Sequence, residues 1–158
     1  MQQNRNTKKL KKVLIVTRVS GFVPQFEMNN VKILQEMGYE VHYAANFNTI
    51  VYGEDNKRLD GTGIICHQID FERSPFSKNV KIAYKQIEEL MFNGEYDLIH
   101  CHMPMSGVIA RVAAQKVRKK TGRKVPVIYT AHGLHFYNGA PIKNWLYYPI
   151  ERYLARYT

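Results

Sequence analysis

The chain has 158 residues, 45% of them hydrophobic and 23% charged, and its 23 Lys and Arg against 13 Asp and Glu give a formal net charge of +10 at pH 7. This length suits one domain with a real core, and the composition excludes a disordered, fibrous or low-complexity protein. No segment reaches the roughly 18 uncharged apolar residues that span a bilayer, and the polar start lacks the apolar core of a secretory signal, so a cytoplasmic location is expected.

Positive charge is concentrated in two segments. Residues 1–11 are interpreted as a basic flexible leader that precedes a domain spanning residues 12–158. Residues 116–124 contain six Lys and Arg near a predicted helix end, where cations complement the helix dipole without needing a ligand. An anionic membrane surface is the next candidate partner. Nucleic acid is not expected as a partner, because neither segment has aromatic residues arranged to stack on bases.

The first elements form a βαβ unit. The apolar run Lys12–Thr17 predicts a buried parallel strand, and the loop after it contains Ser20 and Gly21. The missing side chain of Gly21 could let backbone amides approach a phosphate, and a plain tight turn is the alternative. Apolar residues at helical spacing predict a helix over Gln25–Met37, and the β-formers of Tyr39–Ala45 predict the second strand.

Strands and helices keep alternating through the middle of the chain. A loop with Arg73 and Ser74 separates the third strand from the next helix. The two cysteines, Cys66 and Cys101, do not form a CxxC pair and are expected to be buried, reduced thiols. The further predicted elements are strands at Ile64–Ile69, Asp97–Cys101 and Val125–Tyr129 and helices at Ser77–Met91 and Ser106–Lys120. This order predicts an α/β fold, a Rossmann-like open parallel sheet with helices on both faces and ligands at its C-terminal edge.

Four of the six histidines lie at two predicted strand ends. His100 and His102 alternate along the fourth strand and are expected to face the same side of the sheet. His132 and His135 follow the fifth strand. Two imidazoles without a third ligand at fixed spacing make only a weak case for zinc, so no metal is predicted.

The last segment predicts an amphipathic helix that begins near Pro149. Its apolar stripe consists of Ile150, Tyr153, Leu154 and Tyr157. The helical pattern is still running at Thr158, which leads us to expect that the chain is one part of a longer protein. The aromatic residues Trp145 and Tyr148 could then contact either a membrane surface or the rest of that protein.

Six segments between Lys12 and Thr158 follow the pattern of one enzyme family. They are KVLIVT, GYEVHYAA, FERSPFS, YDLIHCHMPMSGVIAR, VPVIYTAHGLHFYNGAP and NWLYYPIERYLARYT. Together they resemble the N-terminal half of a glycosyltransferase family 4 enzyme, above all the bacterial capsular and exopolysaccharide transferases. DLIHCHMP followed by TAHG is the most specific part, whereas a βαβ pattern alone fits many folds.

The resemblance implies the N-terminal half of a GT-B fold, in which two Rossmann-like domains face each other across a cleft. In that family the N-terminal domain mainly holds the acceptor, the C-terminal domain binds the nucleotide sugar, and the anomer-retaining transfer needs no metal or other cofactor. The expected partners are a nucleotide sugar, a lipid-linked or other glycan acceptor, and the protein's own C-terminal domain. The chain alone is expected to be inactive, and the full enzyme is expected to work in the cytoplasm or at the inner face of the cell membrane.

The resemblance also implies roles for single residues. His132, in TAHG, matches a histidine that faces the cleft near the transferred sugar, and is the candidate catalytic residue; capping of the strand end is the alternative. His100 is expected to be structural. Arg73 could clamp an acceptor phosphate, and a solvated loop charge is the alternative. His135 and Tyr137 could line an acceptor groove, and packing under the segment at Pro141 is the alternative. The acceptor-binding candidates are His102, Arg73, Ser74, His135 and Tyr137, and the donor-phosphate candidates are Ser20 and Gly21.

Two other functions share this sequence pattern. One is a GT-B enzyme similar to UDP-N-acetylglucosamine 2-epimerase, although the DLIHCHMP and TAHG pair fits the transferases better. The other is a non-catalytic, flavodoxin-like binding module, which the absence of a donor site in these residues would suit. A sugar-transfer assay distinguishes the three.

Overall fold

The computed structural model describes residues 9–134 and 136–158. Within these residues the chain order is β1 (Lys11–Val19), α1 (Met28–Glu36), β2 (Tyr39–Asn46), β3 (Ile65–Gln68), α2 (Asn79–Gly94), β4 (Leu98–His102), α3 (Pro104–Thr121), β5 (Val127–Thr130) and α4 (Tyr147–Leu154). Short π or 3-10 turns occupy Val23–Glu27, Lys57–Leu59, Ile142–Leu146 and Ala155–Tyr157. Most of the predicted leader, residues 1–8, and the candidate site residue His135 lie outside the described residues. The last leader residue, Lys11, is the first of β1.

The strands form one parallel sheet in the order β3-β2-β1-β4-β5. In the register at the centre of the sheet, Ile15 of β1 lies opposite Tyr43 of β2 and His100 of β4. The chain reverses its direction of winding between β1 and β4. In open α/β sheets ligands bind at the carboxyl ends of the strands next to such a point. The residues that follow β1 and β4 are therefore placed where a site is expected.

Both faces of the sheet are covered, as the sequence predicts. Leu14 and Val16 of β1 pack into a cluster with residues of α2 and α3. Val13 and Ile15, which alternate with them, pack on the opposite face with Val31 of α1. All four strand residues have no exposed surface. This double burial explains why β1 has a continuous apolar sequence instead of an alternating one.

The first helix differs from its prediction. Instead of one helix over Gln25–Met37, a π turn at Val23–Glu27 precedes α1. A π turn contains an extra residue and so changes which side chains face the sheet. Phe26 and Met37, predicted on the apolar face, are 53% and 65% exposed, whereas Glu27 is buried. The shift in helical phase therefore turns a carboxylate inward next to the carboxyl edge of the sheet.

The two cysteines have different environments. Cys101 is buried in β4, as predicted, and this burial raises the pKa of its thiol to about 12. The prediction for Cys66 is wrong, because its side chain is exposed. Cys66 belongs to β3, which is short and lies at the edge of the sheet, so strand neighbours cover it on one side only.

The C-terminal helix begins two residues earlier than predicted, at Tyr147, after a 3-10 turn. Of its predicted apolar stripe only Leu154 is buried among the described residues, whereas Ile150 and Tyr153 are 46% and 51% exposed. The helix is held by Glu151, which accepts a hydrogen bond from the buried Arg111 of α3 at 2.9 Å. The stripe of α4 is thus an open apolar surface.

Four of the six Lys and Arg residues in the segment 116–124 have hydrogen-bond partners inside the protein, namely Lys116, Arg118, Lys120 and Arg123. Lys116 and Lys120 donate to Glu88 of α2 at 3.0 and 2.7 Å. The guanidinium of Arg118 donates to the carbonyl oxygen of Val125. These contacts support the interpretation in which this positive cluster needs no external ligand. No helix in the described residues is long and apolar enough to cross a membrane.

Candidate active site

Two histidines meet at the carboxyl edge of the sheet. β4 ends at His102, and His132 follows β5 by two residues. The Nδ1 atom of His102 lies 3.0 Å from Nε2 of His132, which is hydrogen-bond distance. His102 has no exposed surface, whereas His132 is exposed. The site therefore presents one accessible imidazole that is held from behind by a buried one.

Glu27 is the third polar group of this site, and it is not among the residues predicted from the sequence. Its carboxylate is 8% exposed, and Oε1 lies 4.0 Å from Nδ1 of His102. The other oxygen, Oε2, accepts a hydrogen bond from Asn30 at 2.6 Å. A regular helix over this segment would not single out Glu27, because only the π turn rotates it toward the histidines.

Phe22 covers the histidine pair. Its ring centroid lies 4.9 Å from that of His132 and 5.2 Å from that of His102, and the ring is 4% exposed. This burial, together with the neighbouring His100 and His132, lowers the pKa of His102 to about 3. His102 is therefore uncharged at neutral pH.

The surroundings of His102 determine which of its nitrogens carries the proton. Nε2 is buried and has no hydrogen-bond partner among the described residues. A proton on Nε2 would be an unsatisfied buried donor, which is costly, whereas a proton on Nδ1 faces both His132 and the Glu27 carboxylate. We therefore assign the proton to Nδ1. Nε2 of His132 then accepts, and Nδ1 of His132 is a hydrogen-bond donor when that ring is neutral.

His102 does not have the accessibility expected of an acceptor-binding residue. A side chain without exposed surface cannot touch an acceptor, because β4 lies between β1 and β5 and Phe22 lies above it. Its position instead suits a residue that orients His132. The prediction that His100 and His102 face the same side of the sheet is confirmed, since their ring centroids are 4.1 Å apart. His100 is held by Thr130 at 2.8 Å, in keeping with a structural role.

The predicted donor-phosphate residues are both buried. A Cβ atom on Gly21 would lie 1.7 Å from the carbonyl oxygen of Val51, so close packing of two loops requires glycine here. The hydroxyl of Ser20 is buried without a partner among the described residues. Any phosphate contact at this loop would have to come from backbone N–H groups, and it stays a prediction.

The remaining candidates lie around the same edge. Arg73 and Ser74 are exposed in the loop between β3 and α2, and Tyr137, after β5, is 61% exposed. Arg73 lines a cavity of about 420 Å³ together with Arg18. The predicted first strand ends at Thr17, whereas β1 extends to Val19 and includes Arg18. The structure thus joins Arg73 to a second arginine and leaves Ser74 and Tyr137 accessible beside the site.

The site also has a set of possible metal ligands. One ligand atom each of Glu27, His102 and His132 lies within 4.8 Å of the other two. Two imidazoles and a carboxylate are a ligand set that zinc uses in enzymes. The sequence predicts no metal here, and this stays a prediction that a chelation experiment tests.

Two further histidines pair elsewhere. Nδ1 of His42, in the middle of β2, lies 2.8 Å from Nε2 of His67 in β3, and the hydroxyl of Tyr96 lies 3.2 Å from the same His42 atom. Nε2 of His42 is 2.8 Å from a carboxylate oxygen of Glu40. Each of these His42 contacts is within the protein, so this pair is interpreted as structural.

The fold is that of a Rossmann-like domain, and the histidine pair marks a candidate ligand site at the carboxyl edge of its sheet. A family profile described as Glycosyl transferase 4-like matches residues 12–158, and the chain belongs to this family. It is 42% identical over 149 residues to EpsD of Bacillus subtilis (strain 168), a protein assigned as a glycosyltransferase. The match covers 94% of this chain and 36% of EpsD, so the chain spans about a third of the length of this relative.

Solved structures show the same fold. MurG of Acinetobacter baumannii matches with a TM-score of 0.58 and 19% identity, over 80% of this chain and 36% of that one. A glycosyltransferase from Rickettsia africae ESF-5 matches with a TM-score of 0.56 and 20% identity, over 89% and 34% of the two chains. The predicted Rossmann-like α/β fold is thereby confirmed, while identities this low say nothing about substrates.

Proposed function

We propose that this chain is the acceptor-binding half of a retaining, metal-independent glycosyltransferase. The full-length protein would transfer a sugar from a nucleotide sugar to a lipid-linked glycan in capsule or exopolysaccharide synthesis. The observation that carries the proposal is the exposed His132, backed by buried His102, at the carboxyl edge of a domain that is 42% identical to EpsD. Glu27 completes the arrangement behind the pair.

His132 acts in this proposal as a hydrogen-bond donor toward the substrates. Because its Nε2 accepts the proton of His102, its Nδ1–H is left to bind a sugar hydroxyl or an oxygen that gains negative charge as the nucleotide phosphate departs. A preoriented donor of this kind stabilises a transition state without prior reorganisation. His102 and Glu27 are positioning residues that hold the ring and its tautomer.

The other candidates take supporting roles. Arg73, Ser74 and Tyr137 are accessible at the same edge and are proposed to contact the acceptor, as is His135, which lies outside the described residues. The nucleotide sugar is proposed to bind mainly to a C-terminal domain, and the backbone at Ser20 and Gly21 is proposed to approach its diphosphate.

We place the enzyme in the cytoplasm, with access to lipid-linked acceptors at the inner face of the membrane. The net charge of +10 favours an anionic leaflet, where each basic residue near the surface contributes on the order of 1 kcal/mol. The exposed apolar face of α4, with Ile150 and Tyr153, is better explained by packing against the protein's own C-terminal domain, because burying that face removes apolar surface from water.

A transfer assay with the full-length protein tests this function. A panel of radiolabelled nucleotide sugars is incubated with bacterial membranes and either the full-length protein or the 158-residue chain. We expect label in the lipid fraction with the full-length protein only. His132→Ala should lower turnover by about 100-fold or more, while Asn138→Ala, an exposed change on the same loop, should leave turnover unchanged.

Each other outcome has a defined meaning. Full turnover by the His132 variant would remove His132 from the reaction. Conversion of a nucleotide sugar without transfer would favour an epimerase similar to UDP-N-acetylglucosamine 2-epimerase. Saturable sugar binding with no turnover of any donor would favour a binding module.

A further inference from the structure

A cavity of about 420 Å³ opens beside the histidine pair. Arg18, Tyr52, Arg73 and Met103 are among the residues that line it. Arg18 is half-buried near the carboxyl end of β1, and Arg73 comes from the loop between β3 and α2. Met103 directly follows His102, so the cavity adjoins the site where sugar transfer is proposed.

The two guanidinium groups are without partners in the part of the chain that the structure describes: neither forms a hydrogen bond or an ion pair there. By contrast, Arg58 and Arg111 each donate hydrogen bonds within the protein. Burial, and after it the charge of Arg73, lower the pKa of Arg18, whereas Tyr52 and Glu72 act in the opposite direction. Guanidinium groups stay protonated in proteins, so two like charges face one cavity with most of their hydrogen-bonding capacity unused.

The walls of the cavity hold strained backbone. Among the described non-glycine residues, Tyr52, Glu95 and Met103 have positive φ, and two of these three, Tyr52 at 68° and Met103 at 64°, line the cavity. Such conformations are maintained only where the surroundings enforce them, and they concentrate at functional sites. At Tyr52 the enforcing contacts are a 3.1 Å hydrogen bond from Arg58 to its carbonyl oxygen and the edge-on packing of its ring on Phe26.

We propose that this cavity binds the diphosphate group of a substrate, between Arg18 and Arg73. The proposal rests on the proposed function and names the chemistry by which that substrate is held. A diphosphate supplies several acceptor oxygens, and two oxygens of one tetrahedral phosphoryl group can accept from the planar fork of a guanidinium group. Its negative charge also offsets the repulsion between the two arginines. Two substrates of the proposed reaction carry a diphosphate, namely the lipid-linked acceptor and the nucleotide sugar. Because Arg73 is proposed above to contact the acceptor, we expect the diphosphate of the acceptor to bind here.

Binding of inorganic diphosphate to the full-length protein tests the cavity directly. Isothermal titration calorimetry at 150 mM salt is run on wild type, Arg18→Gln, Arg73→Gln and a control, Arg152→Gln, which removes an exposed arginine of α4. Each cavity variant should weaken diphosphate binding at least about tenfold, and the control should bind as wild type does. Thermal midpoints should not fall in the cavity variants, because each removes one of two repelling charges.

Kinetics with a lipid-diphosphate acceptor identify the source of the diphosphate. A KM for acceptor that rises about tenfold with kcat nearly unchanged supports the acceptor, whereas a raised KM for the nucleotide sugar assigns the cavity to the donor. Wild-type diphosphate affinity in both cavity variants, or no saturable binding by wild type, would overturn the proposal even if sugar transfer is observed. If the wild type binds diphosphate and the cavity variants do not, but the wild type transfers no sugar, the diphosphate site is supported and the proposed function is refuted.

Discussion

Buried His102 should make the stability of this domain depend on pH below neutrality. Its pKa is lowered to about 3 in the folded protein, first by burial and then by His100 and His132, whereas an unfolded histidine titrates near about 6.5. At a pH between these two pKa values, His102 is protonated in the unfolded chain but not in the folded protein. The stabilisation is therefore complete above about pH 6.5 and is lost as the pH falls toward 3.

The size of the effect follows from the pKa difference. Each pH unit below the unfolded pKa removes about 1.4 kcal/mol, so His102 alone costs about 2 kcal/mol between pH 7 and pH 5. For a domain of this size that corresponds to a thermal midpoint lower by about 4–8 °C. Burial also lowers the pKa values of His100 and His67, and these shifts add to the loss in the same direction.

Urea unfolding at several values between pH 5 and pH 8 measures this dependence in wild type and in His102→Gln. Glutamine keeps a polar side chain but does not titrate, so the variant should be less stable at pH 7 yet lose about 2 kcal/mol less than wild type on going to pH 5. Equal losses in the two proteins would refute the assignment of an uncharged, buried imidazole at this position.

Two further predictions concern the anchor of α4 and the possible metal ligands. Glu151→Ala leaves the guanidinium of Arg111, 1% exposed, without its carboxylate, and should cost about 3 kcal/mol in urea unfolding. The exposed Glu89→Ala should stay within about 0.5 kcal/mol of wild type. Dialysis of the full-length protein against EDTA should leave the sugar-transfer rate unchanged. A rate that falls and is restored by zinc would contradict metal independence and would point to Glu27 and its two histidine neighbours as ligands.

The sequence was sufficient to predict those features that depend on the local pattern of apolar and polar residues. The continuous apolar sequence of β1 follows from burial on both faces, and the alternation of His100 and His102 follows from the two-residue period of a strand. The carboxyl-edge placement of His132 follows from its position after a β-forming run. These features depend on neighbours within a few residues, and the sequence by itself therefore determined the fold class and the edge where the site lies.

The contacts that make the site were decided by tertiary structure. A π turn, which no helical periodicity reveals, brings Glu27 inward, and the position of β4 between β1 and β5 buries His102 behind His132. The edge position of β3 exposes Cys66, against prediction. Arg18 and Arg73 share a cavity only because their strands end at the same side of one parallel sheet. Spacing along the chain sets which face of an element a side chain occupies, whereas strand order and loop packing between distant segments decide which side chains meet.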